Sequence, residues 1–278
     1  MSERVIKLMT FNILRDGTGE LGDRRERIAA VVRHHSPDLL CMQEGGDDLY
    51  WTRFAQDLGF RHFENVPGEY KPALFSRLPV SDSASDADLA YVYFRLDLGA
   101  TSLGVYSVHL PYHPARDELR LANLNSLLDC VRTRGDANVC LAGDFNSRSR
   151  GEPGEDWGLE YFARRNDCPI GADDWLAATE LMHSAGFVDC YRTRHAEPGY
   201  TRHPAVDNLR GMGPAFWERA KQAAGLHETS ELAPATVRID YVYANPALAS
   251  GLSACELDAS NEALAASDHL PLIASFTI

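Results

Sequence analysis

The feature that most constrains this chain is a series of short apolar runs that each end at, or contain, a polar residue able to do chemistry. Runs of this length and composition are typical of buried strands. Because the strands of a sheet can end at one rim, residues that are far apart in the sequence can meet there. The polar residues concerned are, in chain order, Asn12, Glu44, His109, Asp144, Asn146, Asp240, Asp268 and His269.

The spacing of apolar residues predicts strands and helices along the whole chain. In the first predicted strand, at 5–12, Ile6 and Leu8 face one side while Met9 and Phe11 face the other, the period-two pattern of a sheet. The length of 278 residues fits one large α/β domain or two small ones. Helices are expected at 23–35, 50–58 and 117–131, and further strands at 38–42, 73–76, 91–97, 103–110, 138–142, 237–243 and 272–278.

The stretch from about 147 to 235 differs from the rest of the chain. It combines Gly/Pro-rich turns, acidic residues and arginines with helix signals around 175–185 and 215–224. Loops longer than about 15 residues are usually functional or disordered, and the tryptophans and tyrosines of this stretch favour an ordered segment. We interpret it as an insertion within a single domain that spans residues 1–278.

The charge balance bears on the kind of partner that the chain can bind. The formal net charge is −13 at pH 7. A protein that holds long nucleic acid by its phosphates needs a basic surface that displaces counterions. The acidic balance therefore weighs against a non-specific nuclease, although a local basic groove or bound divalent cations could offset it.

Cysteine spacing and hydropathy indicate the compartment. The six cysteines are scattered without a C-x-x-C pair, so neither a zinc site nor a disulfide framework is expected. The first residues lead into a strand-like run without the apolar segment of a secretion signal. No stretch approaches the roughly 18 apolar residues of a membrane span. We expect a cytoplasmic protein without a membrane span, and the oligomeric state is left open.

The polar residues at the strand ends fit phosphoester chemistry. Carboxylates such as Glu44 and Asp268 offer the hard oxygen ligands that magnesium prefers, and the ion would polarise a phosphoryl oxygen. A carboxylate beside a histidine raises the proton affinity of the imidazole and fixes its orientation. Amides such as Asn12 and Asn146 can donate hydrogen bonds to phosphate or to an attacking water. Positioning and charge stabilisation supply most of the catalysis in such a reaction.

The same residues carry a resemblance to a known family. Their motifs occur in the order that is found in the endonuclease/exonuclease/phosphatase superfamily, from residue 12 to residue 271, nearly the full chain. The resemblance implies a deoxyribonuclease-I-like, four-layer α/β sandwich, in which two packed mixed β-sheets are flanked by helices. The motifs are Thr10-Phe11-Asn12, Gln43-Glu44, Val108-His109-Leu110, Gly143-Asp144-Phe145-Asn146, Arg238-Ile239-Asp240-Tyr241-Val242 and Ser267-Asp268-His269-Leu270-Pro271.

The resemblance also implies a role for each residue at the metal centre. Glu44 resembles the principal metal ligand, supported by Asn12 and Asp268. Magnesium is the expected ion, with manganese as an alternative. His269 resembles the histidine beside the scissile phosphate, paired with Asp240.

Three further residues resemble groups that handle water and phosphate. Asp144 resembles the residue that orients or deprotonates the attacking water, and Asn146 resembles a phosphate contact. His109 resembles a second histidine that contacts phosphate or serves as general acid. The identity of the general base, aspartate or histidine, is left open.

The chain departs from some branches of the superfamily. Nucleases often carry a second acid two residues after the first asparagine, where this chain has Leu14. The Tyr-x-Pro-Asn element of abasic-site enzymes is replaced by His109-Leu110-Pro111-Tyr112. Both departures weaken an abasic-DNA interpretation.

The arginines offer candidate substrate contacts. Most of them fit a solvated surface, but one or two could clamp a phosphate bidentately. Arg116, Arg148 and Arg150 are the candidates, because they follow the motifs of His109 and Asp144. The expected function is a magnesium-dependent phosphodiesterase acting on a small or localised substrate. A DNA or RNA nuclease and a phosphomonoesterase are alternatives, and a non-catalytic binding module is less favoured.

Overall fold

The computed structural model describes residues 4–18, 22–45, 48–66, 68, 71–113, 116–150, 174–196, 199–202 and 237–278. Its strands are β1 (Val5–Asn12), β2 (Leu39–Gly45), β3 (His62–Asn65), β4 (Lys71–Ser76), β5 (Asp82–Asp86), β6 (Tyr91–Asp97), β7 (Ser102–His109), β8 (Asn138–Asp144), β9 (Val188–Asp189), β10 (Asp240–Ala244), β11 (Leu252–Leu257) and β12 (Leu272–Thr277). Its helices are α1 (Arg25–His35), α2 (Asp48–Asp57), α3 (Asp117–Arg134), α4 (Ala177–Ser184), α5 (Cys190–Arg194), α6 (Pro246–Ala249) and α7 (Asn261–Ala266), with a 3-10 turn at Arg15–Gly17.

The described strands form two six-stranded mixed sheets. The first has the order β11-β12-β1-β2-β4-β3, and the second has the order β5-β6-β7-β8-β10-β9. The pairs β1–β2 and β7–β8 are parallel, so each sheet has two central strands that end at the same rim. The predicted pair of packed mixed sheets is confirmed.

Three apolar clusters separate the layers. The cluster between the sheets includes Ile6 and Leu8 of β1, packed with residues of β6, β7 and β8 from the other sheet. The second cluster places α1, α2 and α7 on the outer face of the first sheet, against Met9 and Phe11. The third places α3 and α4 on the outer face of the second sheet. Period-two alternation of buried apolar residues therefore produces the four layers.

The layer between the sheets changes from apolar to polar toward one rim. Along β1, the buried residues that face this layer run from Leu8 through Thr10 to Asn12. Thr10 donates a hydrogen bond to Gln43 of β2, and Gln43 donates one to Ser107 of β7, so the two sheets are linked by buried side chains. Hydrogen-bonded polar side chains therefore surround the rim, where they can stabilise buried charged groups.

The predicted elements agree with the structure except at their ends. The strand predicted at 237–243 begins three residues later, at Asp240, because Val237 pairs instead with Arg202 in an isolated bridge. Asp23 is predicted to cap the first helix; α1 begins at Arg25 with Arg24 at the N-cap position, and Asp23 lies one residue earlier, where its carboxylate accepts the backbone N–H of Arg25. Such differences are typical of element ends.

The described part of the stretch at 147–235 packs onto the second sheet. It supplies α4 and α5, and β9 forms the edge strand beside β10. The helix predicted around 215–224 lies outside the described residues. Among the described helices, none is both long enough and apolar enough to span a membrane.

Candidate active site

A cavity of about 540 Å³ opens at the polar rim of the two sheets. Its lining draws on both sheets and on the loops that follow β1, β7 and β8. Most of the predicted site residues meet there. The lining includes Leu14, Arg15, Glu44, Lys71, Ala90, His109, Leu110, Pro111, Tyr112, Arg116, Leu119, Asp144, Asn146, Arg202, Ile239, Asp268 and His269.

The register of the second sheet places His109, Asp144 and Asp240 side by side. His109 at the end of β7 pairs with Asp144 at the end of β8, and Asp144 pairs with Asp240 at the start of β10. Gly143 makes this close approach possible, since a Cβ there would lie 1.9 Å from the carbonyl oxygen of Val108. Its φ of +153° also disfavours other residues. Glycine is therefore required before Asp144 for a steric reason.

Asn12 joins the two sheets at the cavity. Its amide nitrogen donates to Glu44 at 3.2 Å and to Asp144 at 3.1 Å. Glu44 has a positive φ of 64° at a register shift of β2, and its other carboxylate oxygen accepts from the backbone of Arg15 at 2.9 Å. A non-glycine residue held at positive φ by specific bonds is a frequent sign of a functional position.

His269 and Asp240 form a buried pair across the sheets. His269 Nδ1 lies 2.8 Å from Asp240 Oδ2, and the two side chains are 6% and 2% exposed. Thr201 fixes the start of β10, because its hydroxyl oxygen accepts the backbone N–H of Asp240 at 3.1 Å. Ser267 fixes the other side, donating to the carbonyl of Asn12 and accepting from the backbone N–H of His269. The pair is therefore held from both sheets.

Two residues of the site have raised pKa values, for different physical reasons. Burial, together with the nearby Asp240 carboxylate, raises the pKa of Asp144 from 3.8 to about 6. Burial alone would lower the pKa of His269, but the charge and hydrogen bond of Asp240, with Asp268 and Asp144 nearby, raise it from 6.5 to about 9. At neutral pH the cavity thus holds an imidazolium beside ionised carboxylates.

The donor set fits a divalent cation. Ligand atoms of Asp144, Asp240 and His269 lie within 4.8 Å of one another, a spacing that could hold a metal ion. Within the described residues, Asp240 Oδ1 is buried and has no hydrogen-bond partner. A bound cation, or a hydrogen bond donated by a water molecule, would satisfy this oxygen. Glu44 and Asp268, expected as ligands, line the same cavity. The carboxylate oxygen atoms of this set suit magnesium, whereas the protonated ring of His269 has no lone pair to offer an ion.

Asn12 takes a different position from the other expected ligands. Its amide oxygen accepts the backbone N–H of Leu14 at 3.0 Å, and its amide nitrogen faces the carboxylates of Glu44 and Asp144. In this arrangement Asn12 orients carboxylates, since an amide N–H is not a metal ligand. Its predicted part in metal binding stays a prediction.

Arg202 lines the cavity but is not among the site residues predicted from the sequence. It lies in the cavity wall at 2% exposure, and its guanidinium binds the carboxylate of Asp268 at 2.8 Å. Backbone bridges to Val237 and His269 hold it there. Its only sequence signal is membership of an arginine- and histidine-rich stretch, which does not distinguish it from its neighbours.

The arginines predicted to bind substrate are placed unequally. Arg116 lines the cavity. Arg148 is buried away from the lining, and its Nε donates to the carbonyl of Asp174. Arg150 is exposed and pairs with Glu180 of α4 at 3.0 Å. The structure therefore brings Arg116 to the candidate site and leaves Arg148 and Arg150 outside its wall.

Paired six-stranded sheets with a rim of carboxylates, amides and histidines define the class of deoxyribonuclease-I-like proteins that act on phosphoesters. The chain belongs to the endonuclease/exonuclease/phosphatase family, whose family model matches residues 9–269. No curated protein sequence matches the chain significantly.

Solved structures share the fold at low sequence identity. An AP endonuclease from Archaeoglobus fulgidus is 20% identical, with a TM-score of 0.69 over 98% of this chain and 100% of that chain. A D. rerio TDP2, humanized by 14 mutations, is 14% identical, with a TM-score of 0.65 over 99% of each chain. The 3′ phosphatase NExo from Neisseria, bound to a product DNA hairpin, is 18% identical, with a TM-score of 0.64 over 98% of this chain and 99% of that one. These matches establish the four-layer fold.

Proposed function

We propose that the chain is a metal-dependent phosphoester hydrolase that cleaves a phosphodiester by in-line attack of water. One observation carries the proposal: Asn12 of one sheet bonds both Glu44 and Asp144, while His269, which is paired with Asp240, lines the same cavity as those two carboxylates. Residues from both sheets thereby surround a space that is suited to a phosphoryl group. Membership of the family supports the same class of reaction.

In the proposed site, Glu44 and Asp268 would hold the divalent cation, with magnesium preferred and manganese accepted. The bound ion supplies polarisation of a phosphoryl oxygen and offsets charge on the leaving oxygen. Glu44 is oriented for this by the amide of Asn12 and the backbone N–H of Arg15. These bonds leave the carboxylate little freedom to turn away from the cavity.

The His269–Asp240 pair would stabilise charge on the phosphoryl group. His269 lines the cavity and bonds Asp240 through Nδ1, which leaves Nε2 to face the substrate. With its pKa raised to about 9 by Asp240 and the other nearby carboxylates against the opposing effect of burial, the ring carries a proton at neutral pH. An imidazolium placed in a buried site stabilises negative charge that develops in the transition state.

Asp144 would orient the attacking water and accept its proton. The amide of Asn12 donates to one of its oxygen atoms at 3.1 Å, and the backbone N–H of Asn146 donates to the other at 2.8 Å. Burial and the charge of Asp240 raise its pKa to about 6, close to the value that suits a general base. His109 Nε2 lies 3.6 Å from the same carboxylate and is the alternative base, or an acid for the leaving group.

A small or localised phosphodiester is the preferred substrate, because the net charge of −13 repels a long polyanion. Phosphoester groups at a DNA end are the second candidate. That candidate is favoured by the structural similarity to a 3′ phosphatase that is bound to a product DNA hairpin. A free end presents a single phosphate to the cavity and needs fewer backbone contacts than a long duplex.

A hydrolysis panel tests the proposal. Purified wild type and His269→Ala are assayed with magnesium on bis-p-nitrophenyl phosphate, p-nitrophenyl phosphate, single- and double-stranded DNA, and RNA. We expect diester cleavage by wild type that falls by about 10²–10⁴-fold in the variant. Equal activity in the two proteins would contradict the site assignment. Release of inorganic phosphate from the monoester alone would make the chain a phosphomonoesterase.

Salt dependence separates the two substrate candidates. A protein that neutralises many phosphates loses affinity steeply as salt increases, with a slope of about −0.9 per phosphate on duplex DNA. We expect kcat/KM on the preferred substrate to change little between 50 and 200 mM salt. A fall of about 10³-fold or more would indicate a nuclease that holds an extended strand.

A further inference from the structure

The cavity also has apolar lining residues that the proposed chemistry does not use. They belong to the loop after β1, to the turn before β6, to the loop after β7 and to the first turn of α3. These residues are Leu14, Ala90, Leu110, Pro111, Tyr112 and Leu119.

Two of these apolar lining residues are large and exposed. Tyr112 is 44% exposed and Leu119 is 45% exposed. Among the described residues, the other exposed large apolar side chains are Val5 and Leu49, and neither lines the cavity. Exposed apolar surface beside a polar centre is typical of a ligand site.

The backbone on both sides of Tyr112 is held rigidly. Arg120 of α3 is fully buried and its guanidinium donates to the carbonyl of Pro111 at 3.0 Å and to that of His113 at 2.6 Å. Asp117 fixes the same guanidinium at 2.6 Å. His113 has a positive φ of 95°, which a non-glycine residue adopts only when its surroundings require it.

The same loop is tied to the catalytic rim. The backbone N–H of Leu110 donates to the carbonyl of Asp144 at 2.9 Å, and the amide of Asn146 donates to the carbonyl of Leu110 at 3.0 Å. The backbone at Tyr112 therefore has a fixed position relative to Asp144. A pocket residue whose backbone is anchored to the reacting centre is the kind of support that a specificity pocket needs.

We propose that Tyr112 and Leu119 form a subsite for a planar ring carried by the alcohol part of the substrate, next to the scissile phosphorus. This inference rests on the proposed function and specifies its substrate class, a phosphoester of an aromatic or heterocyclic alcohol. Tyr112 and Leu119 line the same cavity of about 540 Å³ as the carboxylates and His269, so the ring and the phosphate belong to one molecule of ordinary ligand size. A tyrosine side chain offers a ring face or edge for stacking.

Binding of inert phosphonates tests the subsite without requiring turnover. Methylphosphonate, cyclohexylphosphonate, phenylphosphonate and octylphosphonate are titrated by calorimetry, with magnesium, into wild type, Tyr112→Ala and Tyr112→Phe. Val5→Ala is the matched control, because Val5 is exposed and lies at the opposite end of β1 from Asn12. We expect wild type and Val5→Ala to bind phenylphosphonate about 5- to 10-fold more tightly than the other three. Tyr112→Phe should keep this preference and Tyr112→Ala should lose it.

Each contrary result has its own meaning. A preference for phenylphosphonate that survives in Tyr112→Ala would overturn the subsite, and so would equal binding of all four compounds by wild type. Tighter binding of octylphosphonate than of phenylphosphonate would replace the ring with an alkyl chain. Hydrolysis of phosphodiesters by wild type, measured in parallel, keeps these outcomes distinct from failure of the proposed function. Absence of hydrolysis together with absence of phosphonate binding would contradict that function itself.

Discussion

Two histidine–carboxylate pairs in this protein have the same nitrogen–oxygen distance but very different surroundings. His269 Nδ1 and Asp240 Oδ2 are 2.8 Å apart, and so are His35 Nε2 and Asp258 Oδ2. The first pair is almost completely buried at the rim of both sheets, and His269 lines the cavity. The second joins the end of α1 to the residue after β11, with side chains 20% and 11% exposed, outside the cavity wall.

The difference shows that the surroundings of such a pair, and not the distance between its atoms, determine which pKa shifts and by how much. Around His269 the carboxylates of Asp240, Asp268 and Asp144 outweigh burial and raise the pKa to about 9. Around Asp258, burial would raise the pKa, but hydrogen bonds from His35 and Ser260 outweigh it and lower that pKa. The second pair is a local hydrogen-bonded pair, whereas the first belongs to a cluster of charges that faces a cavity.

The largest expected contrast between the pairs is in catalysis. His269→Ala should lower kcat/KM by about 10²–10⁴-fold, because it removes the charge that faces the phosphoryl group. His35→Ala removes the same side chain from the other pair and should change kcat/KM by less than about twofold. Steady-state hydrolysis of the best substrate from the panel measures both. Similar losses in the two variants would show that the buried pair has no special part in the reaction.

The pairs should also differ in the pH dependence of stability. The pKa of His269 is raised from 6.5 to about 9 in the folded protein, chiefly by Asp240 against the opposing effect of burial. The resulting stability is fully present below about pH 6.5 and is lost as the pH rises through about 9. Urea unfolding in EDTA should show wild type exceeding His269→Gln by about 3 kcal/mol more at pH 6 than at pH 10. A pH-independent difference would show that the imidazolium does not form.

The carboxylate beside the buried pair should destabilise the protein. Burial and Asp240 raise the pKa of Asp144 from 3.8 to about 6, so its ionised form disfavours folding at neutral pH. Asp144→Asn should therefore raise the free energy of unfolding by about 1–3 kcal/mol at pH 8 in EDTA, with loss of activity. Asp136→Asn is the matched control and should destabilise, since the Asp136 carboxylate forms an ion pair with Arg95 at 2.7 Å, whereas Asp144 lies near the like charge of Asp240. Destabilisation of both variants would contradict the account of Asp144.

The smallest expected effect concerns the stability contributed by the outer pair. His35→Ala should lower the free energy of unfolding by about 1 kcal/mol or less at pH 7, as is usual for pairs in contact with solvent. Because the folded pKa of Asp258 lies below 3.8, this contribution is present above about pH 3.8 and is lost as the pH falls further. Urea titrations at pH 7 and pH 3 measure it. A loss of several kcal/mol at pH 7 would remove the distinction between the pairs.

Much of the fold could be predicted because its signals are local. The period-two pattern of Ile6, Leu8, Met9 and Phe11 specifies the two faces of β1, and the structure confirms it. The rim residues could be found because each lies at or beside the end of an apolar run. The position of the ring subsite could not be found in this way, because Tyr112 acquires its place from a buried guanidinium that belongs to α3.

Long-range pairing accounts for what the sequence did not indicate. Arg202 reaches Asp268 only because the chain around it bridges to Val237 and His269. Arg148 and Arg150 follow the Asp144 motif directly, but neither lines the cavity. Arg148 donates to the backbone carbonyl of Asp174, and Arg150 pairs with Glu180 of α4. Closeness in sequence to the Asp144 motif therefore did not predict that these side chains face the cavity.

Metal dependence tests the central claim most directly. Wild type and Glu44→Gln are stripped with EDTA and then titrated with magnesium, while ion binding is followed by calorimetry and hydrolysis of the best substrate is followed in parallel. We expect no turnover before magnesium is added, full recovery in wild type, and at least about tenfold weaker ion binding in Glu44→Gln. Turnover without a metal ion, or unchanged magnesium affinity in Glu44→Gln, would contradict a metal-dependent phosphoester hydrolase at this rim.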